Sequence, residues 1–207
     1  AAYGSAGWSR KGDSLLVYDR HDLWELFADG RPAKNLSLGF GRKQNLQLRL
    51  QIQEVSEPDT PPQGVDIAQP LTFRAENLTT RATGFYRIRE HASPEQLLWA
   101  DKAFRQETRA AQADKVLLSA SRFDEYPDLH LTDLNYAHPV KVTHGGAQLA
   151  PYLWGSAELV SYRNTDGVEL QATLYKPANF DPNKKYPMIV YFYERLSQLV
   201  HRFFEPL

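Results

Sequence analysis

Cysteine is missing altogether from the 207 residues, which excludes a disulfide framework, a thiol nucleophile and any Cys-ligated metal. It leaves the compartment open, with export to the periplasm or beyond favoured over the cytoplasm. An excess of either charge is also missing. Lys and Arg number 24 against 25 Asp and Glu, a formal net charge of -1, so there is no basic stripe for nucleic acid and no polybasic segment for anionic lipid. Neither partner is expected. No apolar run reaches the roughly 18 residues of a membrane span, and the stretch from Ala1 to Asp13 lacks the charged-then-apolar order of a signal peptide. The beginning therefore reads as internal to a longer chain. No two histidines stand at i, i+4 and no carboxylate–histidine group has zinc spacing, so neither a metal nor a cofactor is expected. His138 and His201 read as surface or packing residues.

What the chain does have is apolar content of 42% and aromatic content of 12%, with an ordinary 12 Gly and 13 Pro, enough to build one or two domains with a real core. Asp13 to Ser37 holds an apolar run, Leu15 to Tyr18, a polar turn Asp19-Arg20-His21-Asp22, a second run, Leu23 to Leu26, and a reversal at Asp29-Gly30. Aspartates at the turn suit backbone hydrogen bonding. Gln69 to Ile88 repeats the scheme with Leu71-Thr72-Phe73 answered by Gly84 to Ile88. Ala113 to His144 repeats it again with Val116-Leu117-Leu118, a turn through Asp124-Glu125-Tyr126-Pro127, Leu129-His130-Leu131 and a reversal at Asp133-Leu134-Asn135. Strand starts at Leu15, Leu71 and Val116 give a step of about 45 to 55 residues, the spacing of four-stranded propeller blades. Trp8-Ser9 followed by Lys11-Gly12 and an apolar strand is a common way for a blade to begin, with Trp8 and Trp24 expected to be largely buried between sheets. Ala100 to Asp114 is helix-forming by propensity but has one large apolar side chain, Phe104, and so reads as an irregular connector or outer strand. Gln51 to Ala68 reads as a loop. The glycosylation patterns at Asn35 and Asn77 arise often by chance and decide nothing.

The composition changes after Tyr152-Leu153-Trp154-Gly155. From Glu158 the chain reads as a strand, an Asp166-Gly167 hairpin turn, a second strand from Leu170 to Tyr175, a Pro-bounded loop, and a fully apolar run, Met188 to Tyr193. A run with no charge on either face belongs inside a sheet covered on both sides, as in an α/β domain.

The stretch DGVELQATLYKPANFDPNKKYPMIVYFY, residues 166–193, resembles the start of the catalytic domain in the prolyl oligopeptidase family of serine peptidases, where a β-propeller precedes an α/β-hydrolase domain. GWSRKGDSLLVYDRHDLWEL and EYPDLHLTDL look like closing blades of that propeller. The resemblance implies a mainly β chain of partial propeller blades over residues 1–155, followed over 156–207 by the first strands of an α/β-hydrolase domain whose remainder lies beyond Leu207. It implies peptide substrates and acyl transfer by a Ser-His-Asp triad. A G-x-S-x-G nucleophile turn is absent here, so the chain by itself is expected to be inactive.

In dipeptidyl-peptidase-like members the tyrosine ending this apolar strand donates its phenolic O–H to the oxyanion, and Tyr193 stands in the matching place. Glu194 and Arg195 are candidates for contact with a substrate terminus. Many relatives carry Gly-Gly-Pro or Gly-Pro after the tyrosine, where this chain has Glu194-Arg195-Leu196-Ser197. A different reading is a propeller that binds peptides or proteins without chemistry, and a third is a carbohydrate-binding propeller. With unpaired apolar strand edges, the chain is expected to self-associate.

Overall fold

The computed structural model describes residues 2–51, 64–193 and 196–205. Strands β1 (Ser5–Trp8), β2 (Ser14–Tyr18), β3 (Leu23–Phe27) and β4 (Lys34–Asn35) pair in chain order as one antiparallel sheet. A single helical turn, α1 (Phe40–Lys43), leads to a second sheet of β5 (Leu46–Leu50), β6 (Leu71–Asn77), β7 (Thr83–Ile88) and β8 (Glu95–Ala100). The third contains β9 (Ala103–Arg109), β10 (Val116–Arg122), β11 (Glu125–Thr132) and β12 (Val140–Lys141). With 43% strand and 6% helix among the described residues, the chain is mainly β, and the three meanders have the form of partial propeller blades. A two-stranded hairpin follows, β13 (Ser156–Arg163) and β14 (Glu169–Lys176).

The period of two along each strand explains how the sheets stack. On β6, Leu71, Phe73 and Ala75 face the first sheet and join Leu16, Leu23, Leu46 and Leu48 in one buried cluster. The intervening Arg74 points the other way, and its Nε donates to the carbonyl of Phe104 in the third sheet at 2.8 Å. A second cluster, Phe85, Phe104, Val116, Leu118, Ala120 and Tyr136, fills the space between the second and third sheets. The middle sheet is therefore covered on both faces. Phe85 and Tyr136 stack with ring centroids 4.1 Å apart, and an aromatic pair of this kind adds about 0.5–1.5 kcal/mol beyond the area it buries.

Several expectations are met, and others need correction. Ala103–Arg109 is the outer strand β9, at the edge of its sheet. The turn between β10 and β11 is shorter than expected: Arg122 pairs with Glu125 across Phe123-Asp124, so Glu125, Tyr126 and Pro127 are strand. Trp8 is 54% exposed; it ends the edge strand β1, and no sheet among the described residues packs over it. Trp24 is half-buried. Met188 to Tyr193 joins no sheet among the described residues, and its side chains stand 69% to 94% exposed. An apolar strand forms only where a neighbour takes up its amides, and no described strand lies alongside. Most of the loop expected over Gln51 to Ala68, residues 52–63, lies outside the described residues.

Candidate functional site

Three segments meet at the β10–β11 turn end of the third sheet: the β10–β11 hairpin, the β13–β14 hairpin, and residues 196–205. An aromatic cluster joins them. Trp154 Nε1 donates to the carbonyl of Phe123 at 2.7 Å, Phe203 stacks on Trp154 at 5.2 Å with rings 9° from parallel, and Tyr126 meets the edge of Phe203 at 5.3 Å. Phe123 lies 5.0 Å from Tyr175 of β14. Beside this cluster opens a cleft of about 340 Å³, lined by Glu125, Tyr126, Asp128, Lys141, Leu149 and Trp154 among others.

The cleft wall is held by a buried carboxylate. Asp128, 1% exposed, accepts from Thr143 Oγ1 at 2.8 Å, from the Gly145 N–H at 2.7 Å and from the Gly146 N–H at 3.4 Å, with Lys141 Nζ at 2.7 Å. Burial by itself would raise its pKa, but Lys141, Thr143 and the two amides together outweigh burial and hold the carboxyl well below the usual range. Gly145 is required here because a Cβ would run into the Tyr126 ring. Glu125 is paired with Lys102 at 2.6 Å. Glu125 and Asp128 each have a cation, and the cleft offers a recess with one aromatic wall.

The same clasp occurs in the first sheet. Asp22, fully buried, accepts from Ser37 Oγ at 2.7 Å, the Gly41 N–H at 2.9 Å and the Arg42 N–H at 3.2 Å. In both copies the hydroxyl residue lies 15 positions after the aspartate and accepts from the amide that follows the aspartate, Leu23 or Leu129. The sequence signal for it, Asp-Leu followed at a fixed interval by Ser or Thr and then Gly, is present, but a turn reading of Asp19 to Asp22 passes over it. The turn itself is there: Asp19 Oδ1 accepts from the His21 and Asp22 amides at 2.7 and 2.6 Å.

Tyr193 is 69% exposed, at the end of the unpaired apolar stretch. That stretch is tied down on both sides. Before it, Tyr186 stacks on Phe180 at 5.2 Å and its hydroxyl accepts from the Asp181 amide at 2.9 Å. After it, Arg81 Nη2 in the β6–β7 turn donates to Ser197 Oγ at 3.1 Å and to Gln171 Oε1 of β14 at 3.3 Å. Glu194 and Arg195 lie outside the described residues. His138 is exposed, whereas His201 is buried beside Asp101, Nε2 to Oδ1 at 3.0 Å. Among the described residues no group of His, Asp and Glu has the arrangement of a metal site, and no helix is long and apolar enough to cross a membrane.

Stacked four-stranded meanders followed by a hairpin define a propeller-type β architecture with a further segment attached. No protein family model matches the chain and no curated protein sequence matches it. Solved structures do. A protein described as a dipeptidyl aminopeptidase IV from Bacteroides ovatus ATCC 8483 is similar over 85% of this chain at 18% identity and a TM-score of 0.55. The AtxE2 isopeptidase, both in its apo form and as a variant with Astexin3-dC4 bound, is similar over 85% at 16% identity and a TM-score of 0.53. This chain spans 26% of the length of each of those proteins. At such identities the likeness is one of fold, and it fits the prolyl oligopeptidase resemblance carried by residues 166–193.

Proposed function

We propose that this chain is the part of a prolyl-oligopeptidase-type serine peptidase in which the propeller, residues 1–155, passes into the catalytic domain, beginning at residue 156. The observation that carries the reading is the run from Glu158 to Tyr193. Its motif resembles the start of that family's hydrolase domain, and it follows blades whose fold is like that of two peptidases. In this reading Met188 to Tyr193 pairs into the catalytic sheet, and Tyr193 directs its phenolic O–H at the oxyanion of the tetrahedral intermediate. Such a donor contributes roughly 3–4 kcal/mol to lowering the barrier. Glu194 and Arg195 stand next to it as groups for a substrate terminus. The substrates are peptides, admitted between propeller and hydrolase.

The test uses the complete reading frame that contains this chain. The full protein should be labelled by a fluorophosphonate and should cleave chromogenic peptides, while Tyr193→Phe should lower kcat by about 100- to 1,000-fold with labelling retained. A full protein that neither labels nor cleaves would overturn the reading. The 207-residue chain alone should do neither, because no nucleophile turn is present.

A further inference from the structure

We infer that residues 197–204 form a pH-sensitive latch, seated against the β6–β7 and β10–β11 turn ends of the second and third sheets and keyed by His201. The inference stands apart from the catalytic reading and needs no reaction.

The seat is built from several sheets. Val200 and His201 are 4% and 8% exposed, and Ser197 is 7% exposed. Arg81 holds Ser197 from the β6–β7 turn. Ser121 Oγ of β10 donates to the carbonyl of His201 at 3.4 Å. Phe203 lies between Trp154 and Tyr126, and Phe204 meets Tyr175 of β14 edge-on at 6.2 Å. Because Tyr126 and Trp154 also wall the cleft of about 340 Å³, release of the segment would take Phe203 away from that wall.

Among the described residues of the seat, the imidazole is the group whose charge changes between about pH 5 and 7. The charged groups facing it are Asp101 from the β8–β9 turn and Arg122 from the end of β10. Arg81 reaches Ser197, and β14 contributes Tyr175 against Phe204. Burial of the ring disfavours the cation, Asp101 favours it and Arg122 opposes it, and the balance is a lowered pKa. The geometry explains why Asp101 does not win: the His201 side chain is 10% exposed while that of Asp101 is 64% exposed, so water screens the attraction. A base whose pKa is lower when docked stabilises docking fully above its free value, near 6.5, and loses that stabilisation as the pH falls. Acid therefore loosens the latch.

Hydrogen exchange of the whole chain, corrected for intrinsic rates, should show amides 197–204 opening about threefold or more faster at about pH 5 than at about pH 7.5, with β6 and β10 unchanged. His201→Gln, which keeps an N–H donor without a titrating ring, should remove that pH dependence. Equal protection of 197–204 at both pH values, or an undiminished acid effect in His201→Gln, would overturn the latch. Should that variant not fold, an NMR titration of the unaltered chain decides: His201 must titrate below about 6.5, the value of an unperturbed imidazole, and titration at or above it refutes the inference.

Discussion

Phe73 in β6 has no exposed surface and Ile189 is 94% exposed, although both sit in short apolar runs that read as strands. The difference lies outside either run. β6 has β5 on one side and β7 on the other, paired from Leu46↔Asn77 and from Leu71↔Ile88, and a sheet packs on each of its faces. Met188 to Tyr193 has no strand beside it among the described residues. Hydrophobic burial is worth about 25 cal/mol per Å² only where a second surface removes the water, so one run anchors the fold and the other is left as surface. The β13–β14 hairpin falls between the two, fully paired over eight residue pairs from Ser156↔Lys176 to Arg163↔Glu169 and yet without a buried residue.

The largest loss of stability is expected in the core. Phe73→Ala should cost about 3–5 kcal/mol of stability, read as a lowered midpoint in urea with the slope retained, because the cavity would open between two sheets that cannot collapse onto it. A loss below about 1 kcal/mol would show that the sheets do not stack as described.

A somewhat smaller effect is expected at the clasps. Asp22→Ala should cost about 3 kcal/mol by leaving the Gly41 and Arg42 amides without their acceptor, and Asp128→Ala should lower stability in the same way. Asp128 also sharpens the pH response. Its carboxyl titrates lower in the folded chain than the unfolded value of about 3.9, so its contribution is complete above that value and is lost as the pH falls through and below it. Acid unfolding followed by circular dichroism should accordingly be less steep in Asp128→Asn than in the unaltered chain.

The smallest effect on stability, and the most telling contrast, is expected at the exposed run. Ile189→Asp should change the unfolding free energy by less than about 0.5 kcal/mol. We propose that this run makes the isolated chain self-associate, since exposed apolar segments with free amides are templates for pairing. Sedimentation at several concentrations should then show association in the unaltered chain and less in Ile189→Asp. A monomer at every concentration would remove the run's part in association.

Three strand pairs, the Asp166-Gly167 hairpin and the family resemblance were legible in the order of residues, because each rests on a local period or a short motif, whereas the turn of the third pair was placed too late and the stretch around Phe104 was left between connector and outer strand. The 15-residue interval from Asp22 to Ser37 and from Asp128 to Thr143 is also written there, but its meaning is not. Only once β3 and β11 are laid beside the segments that follow do a carboxylate, a hydroxyl and two amides converge. Tertiary structure alone decided that Trp8 stays exposed, that His201 is buried beside an exposed Asp101, and that Met188 to Tyr193 joins no sheet among the described residues. Periodicity states which side chains would gain from burial, whereas burial itself is a relation between surfaces far apart in the chain.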